Sequence, residues 1–347
     1  MKKILIIYTG GTIGMVQDPV TSRLLPFDFD HLLDEIPELN KFKCKLDTFS
    51  FENPVDSSNV DPDIWIRLAE IIKKEYDSYD GFVILHGTDT MAYSASALSF
   101  MLKGLNKPVI FTGSQLPIGM IRTDGKENLI TAIEIAGTYQ GDVAIVNEVA
   151  IYFENELHRG NRTLKVNAAH FNAFSSPNYP DLAKAGIYMH FDHHALLPFK
   201  KSKLRVKKEF CRNVGILKLF PGMPPSYFEA IVNIKGLKGL IIETYGSGNG
   251  PSAEWFVDGI KKAFEKDVLM INITQCNQGF VEQGRYQTSE IFNTYEVVSG
   301  LDLTTEAALV KLMMVLSKDC SIEKKKEMIL EDWAGELTLS SPYYKQE

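Results

Sequence analysis

Ile4-Leu5-Ile6-Ile7-Tyr8-Thr9-Gly10-Gly11-Thr12 opens the chain directly after Met1-Lys2-Lys3. Residues 4–8 are apolar or aromatic without polar alternation, as expected of a parallel strand covered on both faces. Gly10-Gly11 ends the run where backbone must turn or approach a neighbour closely, and Thr12 places a hydroxyl just beyond. The same grammar recurs twice. Residues 81–85 run into His86-Gly87-Thr88-Asp89-Thr90, and residues 108–111 into Thr112-Gly113-Ser114-Gln115. Helix-like segments separate these runs. Residues 61–76 open on Asp61-Pro62, a helix-start signal, and carry Ile64, Leu68, Ile71 and Ile72 at helical spacing. Helices are also expected over 92–102 and 128–137, and a further strand over 143–149. This alternation implies βαβ units and a mainly parallel sheet, whose strand C-termini meet at one ligand-binding edge.

Residues 15–30, with Asp18-Pro19, Ser22-Arg23 and Pro26, read as a mobile loop or lid after the first turn. The rhythm breaks near His190, where His193 and His194 precede Lys200, Lys201, Lys203, Arg205, Lys207 and Lys208. This stretch reads as an exposed linker or hairpin, a solvated charge run. No carboxylate or cysteine spacing supports a metal on its histidines. Beyond Asn213, strands are expected over 214–218, 239–243 and 268–274, and helices over 225–233, 252–266, 304–317 and 321–330. The expected class is α/β. Two α/β domains with mainly parallel sheets, a larger N-terminal one over 1–190 and a smaller C-terminal one over 213–347, are joined by a linker over 191–212.

Composition narrows the functional classes. A chain of 347 residues fits about two domains on a prior of ~150 residues each. Its 45% hydrophobic and 23% charged content is that of a globular protein. A net charge of −7 argues against nucleic acid or an anionic membrane as partner. Cys44, Cys211, Cys276 and Cys320 lie far apart without a metal-ligand spacing, and read as reduced cytosolic thiols. The apolar N-terminal stretch is too short for a signal peptide and lacks a cleavage site. No run approaches the ~18 apolar residues of a spanning helix. A soluble, cytoplasmic protein is expected.

The chemistry is concentrated in a few strings. The Thr9-Gly10-Gly11-Thr12 turn fits neither the phosphate-loop nor the dinucleotide fingerprint; alone it is a turn. Thr88-Asp89 sets a carboxylate beside a hydroxyl at the site edge, where it can hold a substrate ammonium. His86, directly behind them, reads as a hydrogen-bonded structural residue. Asp56-Ser57-Ser58-Asn59 reads as a capping turn whose hydroxyls and N–H groups also suit a carboxylate. In Arg159-Gly160-Asn161-Arg162-Thr163-Leu164-Lys165, Lys165 is a base only if burial lowers its pKa from the ordinary ~10.4. Threonines, a carboxylate and a lysine at one sheet edge can build an activated oxygen nucleophile, which points to an amide hydrolase.

Taken in order, Thr-Gly-Gly-Thr-Ile-Gly from Thr9, Asp-Ser-Ser from Asp56, His-Gly-Thr-Asp-Thr-Met-Ala from His86, Thr-Gly-Ser-Gln from Thr112 and Arg-Gly-Asn-Arg-Thr-Leu-Lys from Arg159 resemble the bacterial-type L-asparaginases. The resemblance is strongest to their cytoplasmic, type I branch. It extends through Tyr245-Gly-Ser-Gly-Asn-Gly and Thr274-Gln-Cys to cover essentially the whole chain. It implies conversion of L-asparagine and water to L-aspartate and ammonia through a threonine acyl-enzyme. Thr12 would be the nucleophile, with Thr88, Asp89 and Lys165 the second catalytic group and Lys165 tuning Thr88. Asp56, Ser57, Ser58, Thr88 and Asp89 would bind the substrate, Ser57, Ser58 and Asp89 through its α-carboxylate and α-ammonium. Backbone N–H groups of Thr12 and Thr88 are candidate oxyanion donors. A homotetramer, a dimer of dimers, without metal or organic cofactor is the implied assembly.

Two departures stand out. Many relatives carry a lid tyrosine on the first threonine, whereas residues 20–26 hold none and Leu24 falls at that place. Some type I relatives bind a second, allosteric asparagine through an arginine and a threonine, where this chain has Glu243 and Leu164; Cys276 keeps the family's cysteine. Three rivals compete. One is a glutaminase-asparaginase, since one methylene discriminates by only ~1–3 kcal/mol. The second is an amidotransferase subunit for tRNA, disfavoured by the acidic charge and by a chain that starts on its first strand. The third is a non-catalytic amino-acid sensor, disfavoured because a sensor needs neither threonine nucleophile nor Lys165.

Overall fold

The long apolar runs become inner strands of one large sheet because both of its faces are covered. A computed structural model describes residues 1–17, 24–26, 36–286 and 289–339, which fall into two units, Met1–Lys208 and Glu209–Glu347. The first unit holds, in chain order, β1 (Lys2–Tyr8), β2 (Met15–Gln17), β3 (Leu24–Pro26), β4 (Cys44–Ser50), α1 (Pro62–Glu75), β5 (Gly81–Leu85), α2 (Met91–Met101), β6 (Leu102–Lys103), β7 (Val109–Thr112) and α3 (Gly125–Gly137). It continues with β8 (Tyr139–Gln140), β9 (Val143–Ala144), β10 (Val149–Phe153), β11 (Glu156–Arg159), β12 (Leu164–Lys165), β13 (Phe174–Ser175), β14 (Ala183–Ala185), β15 (Met189–Phe191) and β16 (Arg205–Val206).

Eight of these strands form one sheet in the order β15-β14-β11-β10-β7-β5-β1-β4. From β4 to β10 all neighbours are parallel. The other pairs are antiparallel, starting at the Glu154-Asn155 turn, where both residues take positive φ of 45° and 71° as a two-residue hairpin demands. Every residue of β5, β7 and β10 is buried. Alternate side chains Ile4, Ile6 and Tyr8 of β1 share a core with Leu129, Ala132 and Ile133 of α3. At the start of α1, the Asp61 carboxylate accepts from the Asp63 and Ile64 amides and Pro62 occupies the first turn, as the Asp-Pro signal required.

Three local expectations change, and one strand is added. The strand expected over 143–149 splits: Val143–Ala144 pairs antiparallel with Tyr139–Gln140, and the sheet strand is Val149–Phe153. Asn147 and Glu148 interrupt the run; the Glu148 carboxylate is committed to Arg159 and to the Leu197 amide. β4 escaped notice because it is an edge strand, largely exposed, without a continuous apolar run. Within the expected lid, Met15–Gln17 and Leu24–Pro26 pair as an antiparallel hairpin; residues 18–23 and 27–30 lie outside the described residues. In the basic stretch 191–212, Phe191 ends β15 and Arg205–Val206 pairs with Lys103 and Leu102.

The second unit contains β17 (Val214–Lys218), α4 (Pro225–Val232), β18 (Gly239–Thr244), α5 (Glu254–Glu265), β19 (Leu269–Thr274), α6 (Glu290–Thr294), β20 (Val298–Ser299), α7 (Thr305–Leu316) and α8 (Ile322–Leu330). Its four strands run parallel in the order β17-β18-β19-β20. Leu217, Phe228, Leu240, Ile242, Phe256, Ile260 and Met270 make its core. Two α/β units with mainly parallel sheets bear out the expected fold class. Among the described residues, no helix is long and apolar enough to cross a membrane.

Candidate active site

The chain leaves β1 for β4 on one side and returns to β5 on the other. Strand order therefore reverses between β1 and β5, where an open sheet offers a crevice at the strand C-termini. Thr12 lies just beyond the first strand and Thr88 just beyond the second. The Thr9 amide and hydroxyl both donate to the Leu85 carbonyl, at 3.0 and 2.9 Å. The His86 amide donates to Thr112 at 3.0 Å, carrying the register across to β7.

Two glycines let the turns approach closely. Gly11 has φ +89°, and a Cβ there would lie 2.5 Å from Gly87 Cα. A Cβ on Gly87 would in turn lie 2.6 Å from Ser57 Oγ. The Thr12 and Thr88 turns thus touch backbone to backbone, and the Ser57 side chain packs against Gly87. Thr90 Oγ1 adds a hydrogen bond to the Ser57 carbonyl at 2.7 Å. Thr12 is half-buried and begins a one-turn 3₁₀ helix, Thr12–Gly14. Tyr8 Oη donates to the Gly14 carbonyl at 3.0 Å; burial pushes that phenol up to about 12, so it stays a donor.

Lys165, the second residue of β12, joins the remaining groups. Its Nζ lies 2.7 Å from both Thr88 Oγ1 and Asp89 Oδ1. The lysine side chain is 17% exposed and the aspartate 64%, so a sheltered cation faces a carboxylate open to a ligand. Asp56, Ser57 and Ser58 sit in the adjoining turn. The Asp56 carboxylate accepts from both the amide and the hydroxyl of Ser58 at 2.8 Å, and these bonds hold its pKa below the usual range. Ser57 is buried. Asp56 and Ser58 thus form the cap read from the sequence, while Ser57 abuts the Thr88 turn.

His86 has no opening to the crevice. Its Nδ1 lies 2.7 Å from the Gly87 carbonyl, which can only accept. Its Nε2 lies 2.9 Å from Ser94 Oγ, which accepts from Trp65 Nε1 at 2.9 Å. Donor and acceptor roles follow without conflict along the chain Trp65, Ser94, His86, Gly87. Burial pushes the imidazole down to about 4, and the neutral ring braces the turn before Thr88.

The sequence carried no role for several further residues. The Gln115 and Leu116 amides donate to the buried Asp124 carboxylate at 2.9–3.2 Å, and Asn128 Nδ2 donates to the Gly113 carbonyl at 3.0 Å. Asp124 immediately precedes α3, a helix-start position that was the available signal. The Ile118 amide reaches the Ile13 carbonyl at 3.3 Å, closing this loop against the Thr12 turn. Among the described residues, one group with metal-ligand chemistry occurs away from the crevice: Glu156, His158 and Asp181. Lys184 Nζ lies 3.1 Å from Glu156 and 2.9 Å from Asp181, and already supplies the cation there.

Comparisons with known proteins agree with this architecture. The family model described as "Asparaginase, N-terminal" matches residues 3–197, and "Glutaminase/Asparaginase C-terminal domain" matches residues 213–329. The chain is 39% identical over 343 residues to L-asparaginase 1 of Escherichia coli (strain K12), covering 97% of this chain and 98% of that one. Among solved structures it resembles L-asparaginase I from Vibrio cholerae, with TM-score 0.88, 38% identity and 97% and 99% of the two chains covered. The thermostable L-asparaginase from Thermococcus kodakarensis matches with TM-score 0.89 at 30% identity, covering 97% of this chain and all of that one (100%). The chain belongs to the asparaginase family, in the type I branch of the bacterial-type L-asparaginases.

Proposed function

We propose that the protein hydrolyses L-asparagine to L-aspartate and ammonia through an ester on Thr12. The observation that carries this reading is Lys165 Nζ at 2.7 Å from both Thr88 Oγ1 and Asp89 Oδ1, beside the Thr12 turn at the sheet's switch point. An amide needs an activated oxygen nucleophile and donors for the developing oxyanion. Thr12 Oγ1 attacks the side-chain carbonyl carbon, the C–N bond breaks, and nitrogen leaves as ammonia after taking up a proton. Water then cleaves the ester, giving the carboxylate of L-aspartate and returning a proton to Thr12. Backbone N–H groups of Thr12 and Thr88 are the proposed oxyanion donors. As an ammonium, Lys165 donates to Thr88; after losing a proton it can accept from that hydroxyl and so tune it as an acid or base.

Asp89 takes the substrate's α-ammonium on its open side, and Asp56, Ser57 and Ser58 form the turn that receives the α-carboxylate. The resemblance supports a cytoplasmic homotetramer, a dimer of dimers, working without metal or organic cofactor. The test is ammonia release from asparagine and from glutamine, for the unmodified protein and for Thr12→Ala. The unmodified protein is expected to turn over asparagine with the larger kcat/KM. Thr12→Ala is expected to lose at least ~1,000-fold in kcat, as removal of a nucleophile does. An undiminished rate in that variant would exclude the Thr12 ester, and binding of asparagine without ammonia release would favour a sensor.

A further inference from the structure

Thr88 has a second neighbour besides Lys165. Its Oγ1 lies 3.4 Å from Gln115 Oε1, a long contact of the kind that tightens when a substrate fills a site. The orientation of the Gln115 amide follows from its other end: Nε2 lies 3.1 Å from the His170 carbonyl. A carbonyl only accepts, so the nitrogen must face His170 and the oxygen must face Thr88.

Both supports of this bridge are anchored. The Gln115 backbone is held by Asp124, at the start of α3. His170 belongs to the loop joining β12 to β13, directly after Lys165. That loop is closed by the Val166 amide on the Ala173 carbonyl at 2.8 Å, and the Asn167 carboxamide oxygen accepts from the Ala169 and His170 amides at 2.8 and 3.0 Å. One side chain therefore touches the Thr88 hydroxyl and the loop that follows its lysine.

We propose that Gln115 is a positioning residue for Thr88, a role that rests on the asparaginase reading above. With Lys165 as an ammonium donating to Thr88 Oγ1, the hydroxyl hydrogen has Gln115 Oε1 as its acceptor. When Lys165 gives up a proton, the hydroxyl rotates to donate to Nζ instead. Gln115 thereby sets the resting rotamer of Thr88 and keeps the oxygen facing the lysine.

Two substitutions separate this role from simple packing. Gln115→Leu keeps the bulk and removes both hydrogen bonds. It is expected to lower kcat by about 10- to 100-fold, with KM for asparagine changed by less than about 3-fold, because the loss is one of alignment rather than of binding. Gln115→Glu keeps an acceptor toward Thr88 while losing the donor to His170, so it is expected to retain more of kcat than Gln115→Leu does. The experiment records kcat and KM for asparagine with the unmodified protein and both variants, with thermal melts as a check on folding. An unchanged kcat in Gln115→Leu, or no recovery of kcat in Gln115→Glu, overturns the proposal. No ammonia release by the unmodified protein would instead overturn the underlying reading.

Discussion

At the scale of single residues, Asp89 has two duties in the proposed complex. Lys165 already holds one of its oxygens at 2.7 Å, and the substrate ammonium would take its exposed side. Asp89→Asn removes the charge with little change of shape, so kcat/KM for asparagine is expected to fall about 10- to 150-fold, the range of a charge-assisted hydrogen bond. An analogue without the ammonium, succinamic acid, should lose much less. Equal losses on both substrates would confine Asp89 to holding Lys165. Thr88 and Asp89 stood out in the sequence as a hydroxyl and a carboxylate just beyond a strand-like run, whereas Lys165 was marked by the family resemblance of its string. Gln115 was visible only as part of a string. Its link to His170 spans 55 residues and leaves no local pattern. His86 was readable as structural, but its partners Ser94 and Trp65 lie on two helices whose facing sides are fixed only in the folded unit.

At the scale of elements, the site depends on glycines that let strand-end turns touch. Gly11→Ala would force a Cβ within 2.5 Å of Gly87 Cα at φ +89°. Strain of about 1–3 kcal/mol is expected. The separated turns should lower kcat by about 100-fold or more. Gly141 provides the control, with φ +63° and nothing within 4 Å of an added Cβ. Gly141→Ala should show only the local backbone cost, about 1–2 kcal/mol, with asparagine turnover unaltered. Melting curves and initial rates on both variants check this; equal turnover in the two would show that the close approach of Gly11 to Gly87 has no catalytic weight. The inner strands β1, β5 and β7 were readable because burial on both faces demands unbroken apolar runs. β4 was not, since an edge strand with Lys45, Asp47 and Ser50 obeys no such demand. The strand after α3 was placed too early because residues 143–149 look apolar, although Glu148 is committed to Arg159.

At the scale of the whole molecule, asparagine saturation is expected to be hyperbolic. Cooperative relatives need a second asparagine with different affinity for two states. By the resemblance, Glu243 stands at the place of their cation; it is nearly buried, with Lys218 Nζ 3.2 Å from one carboxylate oxygen and Thr305 Oγ1 2.8 Å from the other. Arg285, another cation of the second unit, is paired with Glu282. A carboxylate effector would meet an anion whose countercharge is already placed. Initial rates over a wide range of asparagine provide the check, and a sigmoidal curve would reveal an effector site elsewhere. The fold class was legible because alternating strands and helices recur throughout the chain. Polar contacts such as Thr305 with Glu243 were not, since they join elements 62 residues apart. The contact between Lys165 and Thr88 likewise bridges 77 residues. Such a site cannot be assembled by any local stretch of the nascent polypeptide. Loops of this length close late and slowly during refolding, so asparagine turnover is expected to recover after the early helical signal.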